Sequence, residues 1–420
     1  MLLARIVENV VRSDGARVLA GLIRLTDDFD AAEEALQEAY ARALATWSRD
    51  GVPRNPAAWL NTVSRRIALD RLRRNRSAPL DRDFEAVPQV PEPENPSGIE
   101  DDRLRLLFTC CHPALSSQAS CALALRTLGG LTTREIARAF VETESTTAQR
   151  IVRAKKKIRE AKIPYEIPRQ DRLRERVETV LSVLYLIFNE GYASTEAPSL
   201  LRPDLAAEGI RLARLAAALL PSEPEAQGLV ALMLLTDARR AARLTADGEL
   251  VPLEEQDRTQ WNREAIDEGT RLIDRTLALR APGPYQLQAA IAALHAAAPT
   301  PADTDWRQIS MLYQALLRLT PTPVVELNAA VALGMASELA AGLDWIMKIE
   351  SRGELSHYHL LPAAKAGFLS RLGRRREAAA GYEAALALAA NPAERRYLAR
   401  RLAECDGTVP EPGVPAREGS

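Results

Sequence analysis

Apolar residues recur at helical spacing along almost the whole chain, and proline or glycine interrupts them at intervals. Residues 6–25, 30–47 and 56–74 are the first three segments with this spacing. Alanine, leucine, arginine and glutamate are abundant, and they are the strongest helix formers, whereas β-branched residues are scarce. A chain of 420 residues that is 47% hydrophobic can bury several cores. We therefore predict an all-α fold with about two to four domains.

Changes in composition divide the chain into parts. Residues 1–76 read as a helical module, residues 101–163 as a second one, and residues 170–405 as a long helical extension. Residues 77–100 are rich in proline and carboxylates and offer little to bury, so we expect an extended, mobile linker there. We expect residues 406–420 to be a disordered tail.

Several classes of protein are disfavoured by what the sequence lacks. It has no run approaching the roughly 18 apolar residues that span a bilayer, and no apolar leader follows Met1. Four cysteines without regular spacing suit a reducing cytosol. The chain has few histidines, no glycine-rich phosphate loop and no Ser-His-Asp pattern. We expect a cytoplasmic protein with no membrane contact, no cofactor and no catalytic activity.

Positive charge is clustered although the net charge is only -1. Residues 65–76 and 150–162 are basic, whereas residues 81–102 are acidic. A solvated, charged helix face would explain either basic run alone. Two such runs in one chain favour a local nucleic-acid surface.

The second basic run lies in a helix-turn-helix pattern. Gly129 and Gly130 end one helix, Thr132 and Glu135 have capping-box spacing for a helix over residues 134–140, and a longer helix opens near residue 144. Residues 149, 152, 153 and 156 share one helix face, while Ile151, Ala154 and Ile158 share the other. A basic protein-binding hairpin is the alternative. The candidate DNA-binding residues of this helix are Thr146, Thr147, Gln149, Arg150, Arg153, Lys155 and Lys156.

The first basic run predicts a second candidate surface on the helix of residues 61–74. Its outward cations are expected to contact phosphates, and the preceding loop, residues 48–56, could hold an unstacked base. Trp47 and Trp59 flank that loop and are expected to be core residues. The candidate DNA-binding residues here are Arg65, Arg66, Arg73 and Arg74.

Two other patterns favour structural roles. Cys110, Cys111 and His112 are adjacent, and adjacent cysteines converge poorly on one metal ion, so we expect buried thiols and no metal site. Residues 189–192 could line a ligand pocket, but we expect a turn between helices. Residues 366–392 have the spacing of a tetratricopeptide hairpin, and residues 323–349 match it less well.

Residues 30–43 and 55–74 resemble region 2 of extracytoplasmic-function (ECF) sigma factors, and residues 123–137 with 146–155 resemble region 4. The long helical extension is similar to the subgroup of these factors that carries a C-terminal tetratricopeptide-like domain. The runs at residues 108–113 and 186–192 fit that subgroup too. The resemblance covers nearly the whole chain.

The resemblance implies a sigma factor whose partners are promoter DNA and the β′ and β subunits of core RNA polymerase. Residues 48–56 and 61–74 would hold the melted -10 strand, and Gln149 with Arg153 would read the -35 element. Ala148 and Val152 depart from the polar or basic readers that the family often has there. The extension would regulate activity, through a protein or ligand partner. The candidate polymerase-binding residues are Glu34, Gln37 and Glu38.

Other functions remain compatible with the sequence. The chain could be a helical-repeat interaction scaffold that has lost polymerase binding, or a DNA-binding regulator that is not a sigma factor. An enzyme hidden in residues 170–405 is the third alternative.

Overall fold

The helical periodicity of the sequence is realised throughout the described chain. The computed structural model describes residues 2–75, 96–140, 142–192, 203–277, 282–336 and 338–405. These residues contain 18 α-helices and no β-strand, apart from one isolated bridge between Leu244 and Leu250. The all-α prediction is therefore confirmed. The candidate mobile linker, apart from its last five residues, and the candidate disordered tail lie outside the described residues, as does Val141.

Two compact units divide the chain, residues 1–187 and residues 188–420. The boundary falls inside a helix rather than at residue 170, where the sequence led us to begin the extension. The helices of the first unit, with the one that crosses the boundary, are α1 (Leu2–Thr26), α2 (Phe29–Asp50), α3 (Pro56–Asn75), α4 (Pro96–Cys110), α5 (Ser117–Thr127), α6 (Thr133–Ala139), α7 (Glu144–Glu160) and α8 (Gln170–Tyr192).

Helices α1, α2 and α3 form a three-helix core, as the first three periodic segments predicted. The carboxylate of Asp28 accepts hydrogen bonds from the backbone N–H groups of Asp30 and Ala31, at 2.8 and 2.9 Å, and so caps α2. Trp47 is buried and meets Trp59 edge to face, with ring centroids 5.4 Å apart. Trp47 therefore belongs to the core, as expected, whereas Trp59 is half-buried.

Helix α4 begins at Pro96, earlier than residue 101, where we expected helix to resume. It packs on α1 in the same unit. The Arg24 Nε atom donates to the Asp102 Oδ2 atom at 2.9 Å, and Asp102 is only 4% exposed. The Tyr165 hydroxyl donates to the backbone oxygens of Ala20 and Asp102, at 3.0 and 2.9 Å. The two N-terminal modules are thus joined by specific contacts.

Helices α5, α6 and α7 form the helix-turn-helix. Gly130 takes a φ of +68°, a value that favours glycine, between α5 and α6. The capping box of Thr132 and Glu135 is present at the start of α6. Thr143 caps α7 by accepting a hydrogen bond from the Thr146 backbone N–H at 3.1 Å. The glycine pair and the capping box, both read from the sequence, therefore set the end of α5 and the start of α6, whereas the Thr143 cap of α7 was not predicted.

Residues 189–192 continue helix α8 and do not form the turn that we expected. The reason is close packing between helices. A Cβ atom at Gly191 would lie 2.3 Å from the backbone nitrogen of Ala206, on the next helix of the second unit. Glycine at this position permits the approach.

The second unit continues as helices that pack mainly against their neighbours in sequence. Hairpins form between consecutive helices, and a Cβ atom at Gly342 would lie 2.7 Å from the Gly334 Cα atom of the preceding helix. These helices are α9 (Pro203–Leu219), α10 (Pro224–Asp237), α11 (Arg263–Leu277), α12 (Pro284–Ala297), α13 (Trp306–Leu319), α14 (Pro323–Met335), α15 (Leu339–Ser351), α16 (Leu360–Arg371), α17 (Arg375–Leu388) and α18 (Pro392–Cys405).

One irregular segment, residues 238–262, interrupts the helices of the second unit. It holds three short 3-10 helices (Arg240–Ala242, Leu253–Glu255 and Arg258–Gln260) and the isolated bridge. The end of the segment lies next to its start, since the Asn262 backbone N–H donates to the Ala238 oxygen, just after α10, at 2.8 Å. The sequence did not predict this interruption beyond a break at residues 247 and 248.

None of the described helices combines the length and the apolar character needed to cross a membrane.

Candidate nucleic-acid interface

The outward face of α7 carries three of the seven residues of this helix that we expected to contact DNA: Gln149, Arg153 and Lys156. Gln149, Val152, Arg153 and Lys156 are all exposed, Val152 by 63%. Arg153 has no carboxylate partner among the described residues. On the opposite face Ile151, Ala154 and Ile158 are buried, as the helical spacing predicted. An amphipathic helix with a free polar and cationic face is the element that enters a major groove in helix-turn-helix proteins.

Thr147 does not belong to that face. Its side chain is fully buried, and its hydroxyl donates to the Glu142 Oε2 atom at 3.2 Å. Because it lies one helical turn before Ile151, it shares the buried stripe of α7. Thr147 therefore fixes the start of the helix and is not available to DNA. Thr146 is exposed, and its backbone N–H and hydroxyl both bond Thr143.

Arg150 is held within the helix-turn-helix. Its Nη1 atom donates to the Glu142 Oε2 atom at 2.6 Å, and the Arg150 side chain is 20% exposed. One carboxylate thus holds both Thr147 and Arg150 at the turn before α7. In this arrangement Arg150 has its charge compensated, unlike Arg153.

Lys155 turns away from the outward face and towards α2. Its Nζ atom lies 2.8 Å from the Glu33 Oε2 atom and 3.1 Å from the Asp30 Oδ1 atom. The Lys155 side chain is 11% exposed and that of Glu33 is 16% exposed. Arg159 extends the contact, at 3.8 Å from Asp30 and 3.9 Å from Asp28. An ion-pair network therefore joins the helix-turn-helix to α2.

Helix α3 presents the second cationic face. Arg65, Arg66, Arg73 and Arg74 are exposed, and Ile67 is 4% exposed on the inward side. Arg65 and Arg66 have no carboxylate partner in the parts of the chain that the structure describes. Arg73 has one weak partner, Asp70, at 3.9 Å. The face can therefore meet phosphates without first breaking strong ion pairs.

The candidate polymerase-binding residues lie on α2, next to α3. Glu34 and Gln37 are exposed, and Glu38 is half-buried. Arg71 of α3 bridges Glu34 and Glu38, at 2.6 and 2.9 Å. A hydrogen bond from Arg42 is the main cause that lowers the pKa of the Glu38 carboxyl. The Glu38 carboxyl is therefore ionised at neutral pH, and Arg71 orients both carboxylates.

An apolar side chain on the same helix was not singled out from the sequence. Leu44 lies two helical turns after Gln37 on α2, and it is 44% exposed. The helical spacing could have predicted this exposure, because Leu44 lies outside the buried stripe of Ala32, Ala39 and Ala43. A single exposed leucine is common on protein surfaces, so its position beside Gln37, and not its exposure alone, makes it a candidate contact.

The cysteine cluster is buried, as we expected. The Cys110 Sγ atom lies 3.1 Å from the Thr127 Oγ1 atom, and burial raises the pKa values of the Cys110 and Cys121 thiols to about 12. The His112 Nδ1 atom accepts a hydrogen bond from the Ala114 backbone N–H at 3.1 Å. Among the described residues, no group of three His, Cys, Asp or Glu side chains is placed to hold a metal ion.

Comparison with known proteins agrees with this geometry. Residues 10–78 match the family Sigma-70 region 2, and residues 105–158 match Sigma-70, region 4. Residues 176–277 match a family of unknown function, DUF6596. An uncharacterized protein of Rhizobium meliloti (strain 1021) is 43% identical over 413 residues, which cover 96% of each chain. No solved structure matches. The chain therefore belongs to the same family as this rhizobial protein, and it is a sigma-70-family factor in which regions 2 and 4 precede a DUF6596 domain.

Proposed function

We propose that this protein is an ECF sigma factor that directs core RNA polymerase to specific promoters. The observation that carries the proposal is the pair of exposed cationic faces on α3 and α7, each within a matched sigma-70 region. The protein acts by binding and not by catalysis. It works in the cytoplasm, where polymerase and promoter DNA are found.

Each cationic face binds a different part of the promoter. Arg65, Arg66, Arg73 and Arg74 contact the phosphates of the melted -10 strand, because they are exposed on one helix. Gln149 and Arg153 read base edges of the -35 element, and Lys156 contacts a phosphate. Glutamine pairs well with adenine and arginine with guanine. Thr147 is left out of the interface because it is buried.

Helix α2 binds the polymerase β′ subunit through Glu34, Gln37 and Glu38, with Leu44 as an apolar contact. The exposed position of Glu34, Gln37 and Leu44 supports this assignment. Asp30 and Glu33 lie on the same helix and hold Lys155. A partner on α2 and DNA on α7 therefore both compete with the ion pairs between these helices.

The helical extension, residues 188–405, regulates the factor and takes the place of a separate membrane anti-sigma protein. The hairpins of α14 with α15 and α16 with α17 support a tetratricopeptide-like architecture. Gly373 has a φ of +75° between α16 and α17, and Ala366, Ala378 and Tyr382 are buried between these helices, as that repeat requires.

Transcription with purified core polymerase tests the proposal. Chromatin mapping of the tagged full chain supplies candidate promoters, and run-off assays on them are expected to give transcripts only when the protein is present. The double variant Arg65→Ala with Arg66→Ala is expected to lose most of the product. Arg174→Ala, which removes an arginine that is 92% exposed on α8, is the control.

A pull-down separates the sigma factor from the helical-repeat scaffold. The folded full chain is expected to capture the β′ subunit. A folded chain that neither captures β′ nor supports a transcript contradicts the proposal.

A further inference from the structure

The second unit contains a cavity of about 290 Å³ that the promoter-binding role does not use. It lies between α10, α12, α13 and the irregular segment of residues 238–262. At roughly 30 Å³ per water molecule, this volume equals about ten waters. The volume is close to the lower end of the range found for small-molecule sites.

One side of the cavity is apolar. Leu232 and Leu235 of α10 and Ile291 of α12 line it, together with the ring of Tyr313 from α13. These side chains would bury the hydrocarbon or aromatic part of a ligand.

The other side is cationic. Arg239 lines the cavity and has no carboxylate partner among the described residues. Its guanidinium carbon lies 6.0 Å from the ring centre of Tyr192. None of the lining residues is an aspartate or a glutamate. An arginine in a cleft without an acidic neighbour leaves a positive potential, and that potential favours an anion.

A second arginine, Arg258, strengthens the positive potential of the cavity although it is not one of the lining residues. Arg258 is 8% exposed, and its guanidinium lies over the ring of the lining residue Trp261 at 4.7 Å. It donates to the backbone oxygens of His295 and Ala298, both at 2.6 Å, at the end of α12. These carbonyls pair with its Nη1 atom but do not neutralise its charge, and its Nε atom has no hydrogen-bond partner among the described residues.

A buried donor in the wall has no acceptor. Trp261 lines the cavity and is 4% exposed, and its Nε1 atom makes no hydrogen bond to any residue that the structure describes. Buried donors are normally paired, so this N–H lacks the acceptor that such groups usually have. Indole N–H groups and arginine together are suited to a carboxylate.

From these features we infer that the cavity is a binding site for a small organic anion, with its carboxylate near Arg239 and Trp261 and its apolar body against α10 and α12. The inference goes beyond the proposed promoter role and does not depend on it. It makes the second unit a receptor for a metabolite-sized acid.

The environment of His295 agrees with a cationic site. Burial, together with the charges of Arg239 and Arg258, lowers the pKa of this lining histidine to about 4. His295 is therefore neutral at pH 7. It adds a polar group to the wall without adding to the positive charge.

Calorimetric titration of the full chain with three probes tests the inference. Benzoate has both the charge and the apolar body, benzamide keeps the shape without the charge, and inorganic phosphate has the charge alone. Benzoate is expected to bind about tenfold more tightly than benzamide, because a charge-assisted hydrogen bond is lost in the amide. Phosphate is expected to bind more weakly than benzoate, since nothing fills the apolar side.

Variants locate the site. Arg239→Met is expected to remove the preference for benzoate over benzamide, and Trp261→Phe to weaken benzoate about threefold. Arg318→Met, at an exposed arginine of α13 outside the cavity, is expected to change neither. The inference is overturned if the unmodified chain does not prefer benzoate, a comparison that needs no variant. It is also overturned if a folded Arg239→Met chain keeps the full preference.

Discussion

The Lys155 Nζ atom lies 2.8 Å from the Glu33 Oε2 atom and joins the helix-turn-helix to the helix proposed to bind polymerase. The two residues are 122 positions apart in the chain. Both side chains are mostly buried, so water screens their attraction less than at an open surface. Lys155, which we predicted from the sequence to bind DNA, is therefore engaged in an ion pair within the protein.

The pair is expected to stabilise the contact between α2 and α7. In a double-mutant cycle of Glu33→Gln and Lys155→Met, we expect a coupling energy of about 1 kcal/mol, the upper part of the range for ion pairs near a surface. Hydrogen exchange of the α7 backbone amides measures the free energy of opening. Additive effects of the two substitutions would mean that the pair contributes nothing.

Releasing Lys155 is expected to improve DNA binding. Glu33→Gln removes its closest partner, and we expect the affinity of the full chain for a -35 duplex to rise about threefold. Titration with labelled duplex at fixed salt measures it. The gain should disappear in the Lys155→Met background. A gain that persists there would show that loss of a negative charge, and not release of Lys155, is responsible.

Alanine substitutions of Arg153 and Lys156 are expected to weaken DNA binding in different ways. Arg153→Ala should weaken binding to the matched -35 sequence about tenfold and relax the base preference at one position, because its guanidinium, which has no carboxylate partner in the described parts of the chain, reads a base edge. Lys156→Ala should weaken all sequences alike and lower the salt dependence by about one counterion. Binding to matched and mismatched duplexes across a salt series separates the two. Equal losses on all sequences for Arg153→Ala would remove it as a reader.

The helices of the first unit were predictable because their signals are local. Capping residues such as Thr132 and Thr143 and the apolar spacing of α7 are read from neighbouring positions. The burial of Thr147 was also available, since it lies one turn before Ile151 in the same stripe. Its polar side chain in the first turn of α7 favours a DNA contact, but its place in the buried stripe excludes one.

Contacts between distant segments were not predictable. The partners of Lys155 are 122 and 125 positions away, and nothing near it in sequence marks them. The cavity depends on residues 238–262, whose alanine- and arginine-rich start resembles a helix in composition.

Two glycines are expected to respond to alanine with opposite signs. Gly191→Ala should destabilise the second unit by about 2 kcal/mol, because the new Cβ atom would lie 2.3 Å from the Ala206 backbone nitrogen. Gly367→Ala should stabilise it by about 0.5 kcal/mol, since the nearest atom lies 3.9 Å away and alanine favours the helix. Urea unfolding of the full chain measures both. Equal effects would remove close packing as the role of Gly191.

The pKa of His295 makes stability depend on pH. Burial and the nearby Arg239 and Arg258 lower this pKa from 6.5 to about 4 in the fold. Between these values the unfolded chain binds the proton and the folded chain does not, so stability is lost as pH falls from 6.5 towards 4. The full loss is at most about 3 kcal/mol. His295→Gln is expected to flatten this part of the curve, in urea unfolding of the full chain at a series of pH values.

His357→Gln is the matched control, because His357 is exposed on the same unit. Carboxylates that titrate in the same range act equally on both variants, so the difference between the two curves isolates His295. If the curves of the two variants have the same slope between pH 6.5 and 4, His295 titrates normally in the fold.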